Sequence, residues 1–181
     1  MEKMNRYCTE LKKAMEYLAK DERVIFLGQT VAYPGSRFTY KFLEDIPLEK
    51  RIELPIMEDD QMGISIGLSL EGYKPVSYYP RLDFLLLAGN QIVNHLNAME
   101  EMSCGQYKPT VIIKATAGMT KPYPGPQHCN DHTDVFRKMF SNVDVVRLEK
   151  AEEIIPAYQS ALRSDRSTLL IDVGDLHYIN D

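Results

Sequence analysis

Short apolar runs recur along this 181-residue chain, and stretches of helical periodicity separate most of them. Val24-Ile25-Phe26-Leu27-Gly28 is continuous enough to suit a strand buried on both faces. Arg51–Leu54 is a weaker strand pattern stopped by Pro55. Val76–Tyr79, Thr110–Lys114, Val143–Leu148 and Ser167–Val173 complete the set. Between them, Asn5–Asp21 carries Leu11, Met15 and Leu18 at helical spacing. A helix from Asp60 ends naturally at Gly72, and its small residues at 63, 67 and 69 allow close packing. Asp83–Met102 reads as one long helix, with shorter ones at His132–Phe140 and Ala151–Arg163. Strands alternating with helices predict an α/β fold, a three-layer sandwich around a mostly parallel sheet. With no repeat, low-complexity tract or linker, residues 1–181 read as a single domain.

The charge balance removes other classes. A net charge of −5 with a pI near 5.4 argues against nucleic-acid binding, which favours a basic face. The 44% hydrophobic content argues against disorder. The start, Met1-Glu2-Lys3-Met4-Asn5-Arg6, lacks the apolar core of a signal peptide, and no run of about 18 apolar residues follows. Cys8, Cys104 and Cys129 are widely spaced and odd in number, as expected of reduced thiols in a cytoplasmic protein.

Two places concentrate chemistry. Glu58 follows Leu54-Pro55-Ile56-Met57 at a strand-to-helix junction. It reads either as a complement to a helix N-terminus, with Asp59 and Asp60, or as a partly buried functional acid. The second place is the connection Ala117–Asp131, fifteen residues without periodicity, which is long for a compact α/β domain. His128 within it suits either a surface position or general acid–base work. His128 and His132 are four apart, yet no third ligand stands at metal spacing and no HExxH occurs. Asp83-Phe84 opens a helix, as a cap and a core aromatic would. Cys129 adjoins His128, but sequence neighbours seldom aim at one point. Walker A, GxGxxG and GxSxG motifs are absent.

Seven pieces in register carry a resemblance. They are Val24–Gly28; Gly35-Ser36-Arg37-Phe38; Pro55-Ile56-Met57-Glu58; Met62–Gly67 with Glu71-Gly72-Tyr73-Lys74-Pro75; Asn90-Gln91-Ile92-Val93-Asn94; Met102-Ser103-Cys104-Gly105; and Gln127-His128. Over about Val24–Val173 the chain resembles the pyrimidine-binding (Pyr) domain of thiamine-diphosphate enzymes. It is similar above all to the N-terminal half of 2-oxo-acid dehydrogenase E1 β subunits, and more distantly to the transketolase middle domain. The resemblance implies that Glu58 hydrogen-bonds N1′ of the aminopyrimidine and favours its imino tautomer. It implies that Ile56 offers its carbonyl to the 4′-amino group, that Phe84 packs on the pyrimidine ring, and that His128 stands near the reacting carbon. It places no metal ligand on this chain.

Departures qualify the transfer. Gln29-Thr30 stands where the family has an acidic pair, and Asp59-Asp60-Gln61 replaces small residues after the glutamate. No second, transketolase C-terminal-like domain is expected, and nothing matches the GDG…N motif that grips the diphosphate and its Mg²⁺. The resemblance therefore implies a separate diphosphate-binding (PP, E1 α-like) subunit holding the Mg²⁺, in a heterotetramer acting on a 2-oxo acid. Split transketolase-type transfer on ketose phosphates and a non-catalytic scaffold subunit are the alternatives.

Overall fold

In a computed structural model the described residues are 4–36 and 38–179, so Met1–Lys3 and Arg37 of the second marker lie outside them. Helix α1 (Arg6–Leu18) is capped by Asn5, whose Oδ1 accepts from Cys8 N at 2.8 Å. Its buried face, Leu11, Met15 and Leu18 among others, repeats every three or four residues as the sequence suggests. Strand β1 (Val24–Gly28) follows, then short α2 (Tyr40–Leu43), a 3₁₀ turn at Leu48–Lys50 and β2 (Arg51–Glu53). Helix α3 (Glu58–Leu70) leads to β3 (Lys74–Tyr79) and the short α4 (Leu82–Leu85) and α5 (Met99–Met102). Strand β4 (Ile112–Ala117), α6 (Thr133–Met139), β5 (Val143–Leu148), α7 (Ala151–Arg163) and β6 (Ser167–Val173) complete the order, with a 3₁₀ turn at Gly174–His177.

The six strands form one sheet in the order β2-β1-β3-β4-β6-β5, and every pairing is parallel. Both faces are covered, so β3, β4 and nearly all of β6 are buried end to end. One core lies under α1, α2 and α7 and takes Phe26, Val76, Tyr78, Ile112 and Leu170 from the sheet. The other lies under α3, α4 and α6 and takes Tyr79, Ile113, Ala115, Leu169 and Ile171. The alternation of even and odd strand positions between the cores is the two-residue period of a pleated sheet. The three-layer α/β reading is therefore correct.

From β1 the chain moves outward to β2, then returns through α3 to β3 on the other side of β1. This reversal opens a crevice beyond the C-terminal ends of β1 and β3, the position where open parallel sheets hold ligands. Gly28 ends β1 there, paired with Tyr78, at φ +146°. A Cβ on Gly28 would stand 2.4 Å from the Tyr78 carbonyl oxygen.

Several boundaries differ from the sequence expectation; strand β3, for one, begins at Lys74 rather than Val76. Helix α3 starts at Glu58, two residues early, which puts Glu58 in its first turn. Strand β4 slides to 112–117, because pairing with β6 at Ile112–Thr168 through Ala117–Val173 overrides the β-branched preference of Thr110 and Val111. The long helix expected from Asp83 to Met102 is instead broken into α4, a 3₁₀ turn at Leu86–Ala88, a π-helical stretch at Gln91–Leu96 and α5. Its interior holds Gly89, Asn90, Asn94 and Asn97, all poor helix formers. Asn97 is also drawn outward: its Oδ1 accepts from Ser141 N and Asn142 N at 2.9 and 2.8 Å, while Asn142 Nδ2 donates to its carbonyl.

Replacing Gly28 with alanine should destabilise the chain by about 2–3 kcal/mol, through strained backbone and the clash with Tyr78. A urea melt of Gly28→Ala beside the parent checks this; an unchanged midpoint would mean that β1 and β3 part without penalty.

Candidate active site

The crevice is built from four strand ends. Gln61, one turn into α3, is buried with its amide inside the sheet edge. Its Nε2 donates to Ser77 Oγ at 3.1 Å and Tyr78 O at 3.2 Å, with Leu27 O at 3.4 Å. Tyr79 Oη donates to the Glu58 carbonyl at 3.0 Å. Two buried side chains thus fix the first turn of α3 over the β1/β3 switch point. The loop after β1 is tied to β2: both oxygens of Glu53 accept backbone N–H groups, from Thr30 and Ala32, each at 2.7 Å. That anchorage holds Thr30 at φ +59°, unusual for a β-branched residue.

Glu58 and Ile56 line one shallow cleft together with Gln29, Met57, Tyr79 and Pro80. The Glu58 carboxylate is half-buried at the positive end of α3. Among the described residues it meets no hydrogen-bond donor and no cation. The apolar run preceding it does not shield it as the sequence suggests: Pro55 is exposed and Ile56 is 73% exposed. That run is surface, not core.

Phe84 and His128 come together on the neighbouring loops. Their ring centroids are 5.3 Å apart and nearly perpendicular, an edge-on contact. Phe84 lies in the first turns after β3 and His128 in the long connection after β4. Phe84 is half-buried, not the core aromatic its pattern allows, and His128 and His132 share no helix face: His128 sits in a turn and His132 precedes α6. The connection is held in place at several points. Arg81 Nη1 donates to the His128 carbonyl at 2.8 Å while its guanidinium stacks over Phe38 at 4.4 Å. Asn130 Nδ2 donates to Asp83 Oδ1 and to Pro126 O, both at 2.6 Å. Asp175 accepts from Thr120 N and Lys121 N at 2.6 and 3.3 Å. The second oxygen of Asp83 and one of Asp59 are buried with no hydrogen bond among the described residues.

Beneath this loop layer lies an ionic cluster that the sequence reading passes over. Lys114 Nζ is 2.8 Å from Asp172 Oδ1, and His177 Nε2 is 2.6 Å from Asp172 Oδ2, all three side chains being essentially inaccessible. Lys114 also donates to Thr116 Oγ1 at 2.8 Å and to the Phe38 carbonyl at 3.3 Å, a carbonyl shared with Tyr78 Oη. A lysine inside Val111–Ala117 and an aspartate inside Leu169–Val173 were the available signals: a charge in the middle of a buried strand needs a partner. Burial holds His177 below its ordinary value, outweighing the neighbouring Asp172. A neutral ring donating Nε2–H to an ionised Asp172 fits, since Nδ1 lies buried without a partner.

Two expectations follow from the cluster. Asp172→Asn strands the Lys114 ammonium and should lower the unfolding free energy by about 3–5 kcal/mol, read by urea titration. His177 stays neutral in the fold while its unfolded counterpart takes a proton below about pH 6.5. Its contribution is thus present above that pH and lost as the pH falls. The urea midpoint should decline on acidification from pH 7 to 5.5, and His177→Phe should flatten that slope.

The family model described as "Transketolase, pyrimidine binding domain" matches residues 7–172. A pyruvate dehydrogenase E1 component subunit beta from Chaetosphaeridium globosum is 25% identical over 171 residues, 92% of this chain and 51% of that protein. The chloroplastic subunit beta-4 from Oryza sativa subsp. japonica is 27% identical over 168 residues, 90% of this chain and 41% of that protein. Among solved structures, a "split gene transketolase, inactive beta4 tetramer" superposes with a TM-score of 0.69 at 20% identity, covering 94% of this chain and 50% of that one. The chain therefore spans about half the length, or less, of the relatives it matches.

Proposed function

The chain belongs to the transketolase pyrimidine-binding domain family, a thiamine-diphosphate-dependent family, and from that premise we propose that it is the pyrimidine-binding subunit of a heteromeric enzyme acting on a 2-oxo acid. The observation that carries the proposal is the Glu58 carboxylate, half-buried and without a donor, in one cleft with Ile56. The 4′-amino group of an aminopyrimidine is a donor, and its ring nitrogen N1′ becomes a second donor, across the ring, once protonated. The cleft presents two acceptors two residues apart, the Glu58 carboxylate and the Ile56 carbonyl, to which no described group donates. The residues fit that end of the cofactor.

Thiamine diphosphate supplies, when bound, a carbon nucleophile for attack on a carbonyl. In this reading Glu58 holds a proton at the pyrimidine ring and so governs its tautomer. Ile56 orients the ring's amino group. Phe84 contributes an apolar surface against it, and its edge contact with His128 keeps that imidazole at the crevice, where it handles a proton at the substrate oxygen. The resemblance of the curated relatives to this chain, all pyruvate dehydrogenase β subunits among those compared, supports a 2-oxo acid over a ketose phosphate.

The diphosphate and its Mg²⁺ fall to a separate PP-type subunit in this reading, as the sequence has no GDG…N motif. Support for a partner comes from apolar side chains exposed around the crevice: Ile56, Ile64 of α3, and Leu86 and Leu87 in the turn packed against α3. We take the assembly to be a cytoplasmic heterotetramer.

Purification of the tagged chain from its native cell tests the proposal. It should bring down a stoichiometric partner bearing GDG…N, together with thiamine diphosphate. In the assembled enzyme, Glu58→Gln should leave the circular dichroism spectrum and partner capture unchanged while turnover of the 2-oxo acid falls at least 100-fold. Full turnover by Glu58→Gln would remove this residue from the chemistry.

A further inference from the structure

The other end of the sheet carries a second pocket, with a volume of about 600 Å³. It forms where three helices end: Tyr17 comes from α1, Tyr73 from the turn after α3, and Arg163 from the last residue of α7. Lys74, the first residue of β3, lies on its wall and is only 4% exposed. Tyr79, at the crevice end of the same strand, is five residues away, about 16 Å at the rise of a β-strand. The pocket is thus remote from Glu58, and nothing about it rests on the cofactor reading.

The charges here do not balance locally. Lys74 Nζ donates to the Ser164 carbonyl at 2.9 Å, its one hydrogen bond among the described residues, which leaves two ammonium protons unused. The two carboxylates on the wall are already engaged. Asp21 chelates Arg23 through both oxygens at 3.0 and 2.7 Å, and Asp165 pairs with Lys108 at 3.1 Å. Neither Lys74 nor Arg163 pairs with a carboxylate among the described residues. A buried ammonium without a counter-ion is costly, and in structures such charges are paired or hydrogen-bonded out. Burial, helped by the positive charge of Arg23 and opposed by Asp165 and Asp21, holds Lys74 down at about 8. It therefore remains mostly cationic at neutral pH.

We propose that this pocket is an oxyanion site in which Lys74 and Arg163 hold the phosphate or carboxylate of a small metabolite, with the Tyr17 and Tyr73 rings flanking its remainder. The volume lies within the range of small-molecule sites. A bound oxyanion supplies the counter-charge that the wall lacks, and Lys74 must then stay protonated to a higher pH. Binding is consequently coupled to proton uptake. Affinity is highest below pH 8 and declines above it, by up to about tenfold per pH unit. The other charged or titratable groups facing Lys74 are Arg23, Asp21, Tyr17, Tyr73, Arg163 and Asp165.

The test titrates inorganic phosphate, and separately malonate, into the full-length chain labelled at lysine Cε, followed by NMR. Lys74 is the resonance that titrates near pH 8 and is missing in Lys74→Met. Saturable shifts of that resonance, with its midpoint moved upward, are the expected result. Arg163→Ala, at an exposed position outside both cores, should weaken binding at least tenfold. A response to malonate alone assigns the group as a carboxylate, and a response to phosphate alone as a phosphate. No saturable shift with either anion, or equal affinity in parent and Arg163→Ala, overturns the proposal.

Discussion

The Lys114–Asp172 ion pair joins two neighbouring strands of the sheet, and the layout above it depends on that contact. Both side chains are withdrawn from water, so their mutual attraction must offset a large desolvation penalty, and it does so only while every remaining donor is matched. The matching partners come from distant parts of the chain. Thr116 bridges the two, Phe38 offers its carbonyl from the loop after β1, and His177 closes over Asp172 from the segment after β6. Tyr7 in α1 also accepts from Val173 N and donates to the Leu148 carbonyl at 2.6 Å, tying the first helix to the ends of β5 and β6. The buried charge pair therefore holds the loop that leads to the crevice and the segment after β6, while Tyr7 holds α1 beside them.

An all-parallel sheet adds the second constraint. It brings every strand's C-terminal end to one edge and every N-terminal end to the other. The first edge carries acceptors, exposed apolar groups and the Phe84–His128 contact, which suit a cofactor end and a partner. The second edge gathers the carbonyl ends of three helices, and there the buried Lys74 ammonium meets Ser164 O. The two edges thus differ in chemistry: the first holds unpaired acceptors at Glu58, and at the second no carboxylate among the described residues pairs with the Lys74 ammonium.

How far the site was legible in the sequence differs residue by residue. Glu58 could be singled out because an acid after an apolar run at a strand-to-helix junction is a local pattern, whereas Ile56 came only from the resemblance; the structure puts both on one cleft. Phe84 and His128 are 44 positions apart, and no local pattern brings them together; Arg81 and Asp83 do so by holding the loop through His128 O and Asn130. The broken helix after Asp83 was missed because periodicity records which residues are apolar, not whether Asn97 is bonded to Ser141 and Asn142.

The sequence by itself determined the α/β class, the strands at 24–28, 143–148 and 167–173, the helix at 151–163 and the family, because apolar periodicity and short motifs are properties of neighbouring residues. Only the tertiary structure decided that the sheet is entirely parallel with its reversal between β1 and β3. It alone paired Lys114 with Asp172 and left Lys74 without a counter-ion. The physical reason is the same in each case. Strand order and charge compensation are set by free energies between residues far apart in the chain, and a run of letters carries those only where a buried charge betrays that some partner must exist.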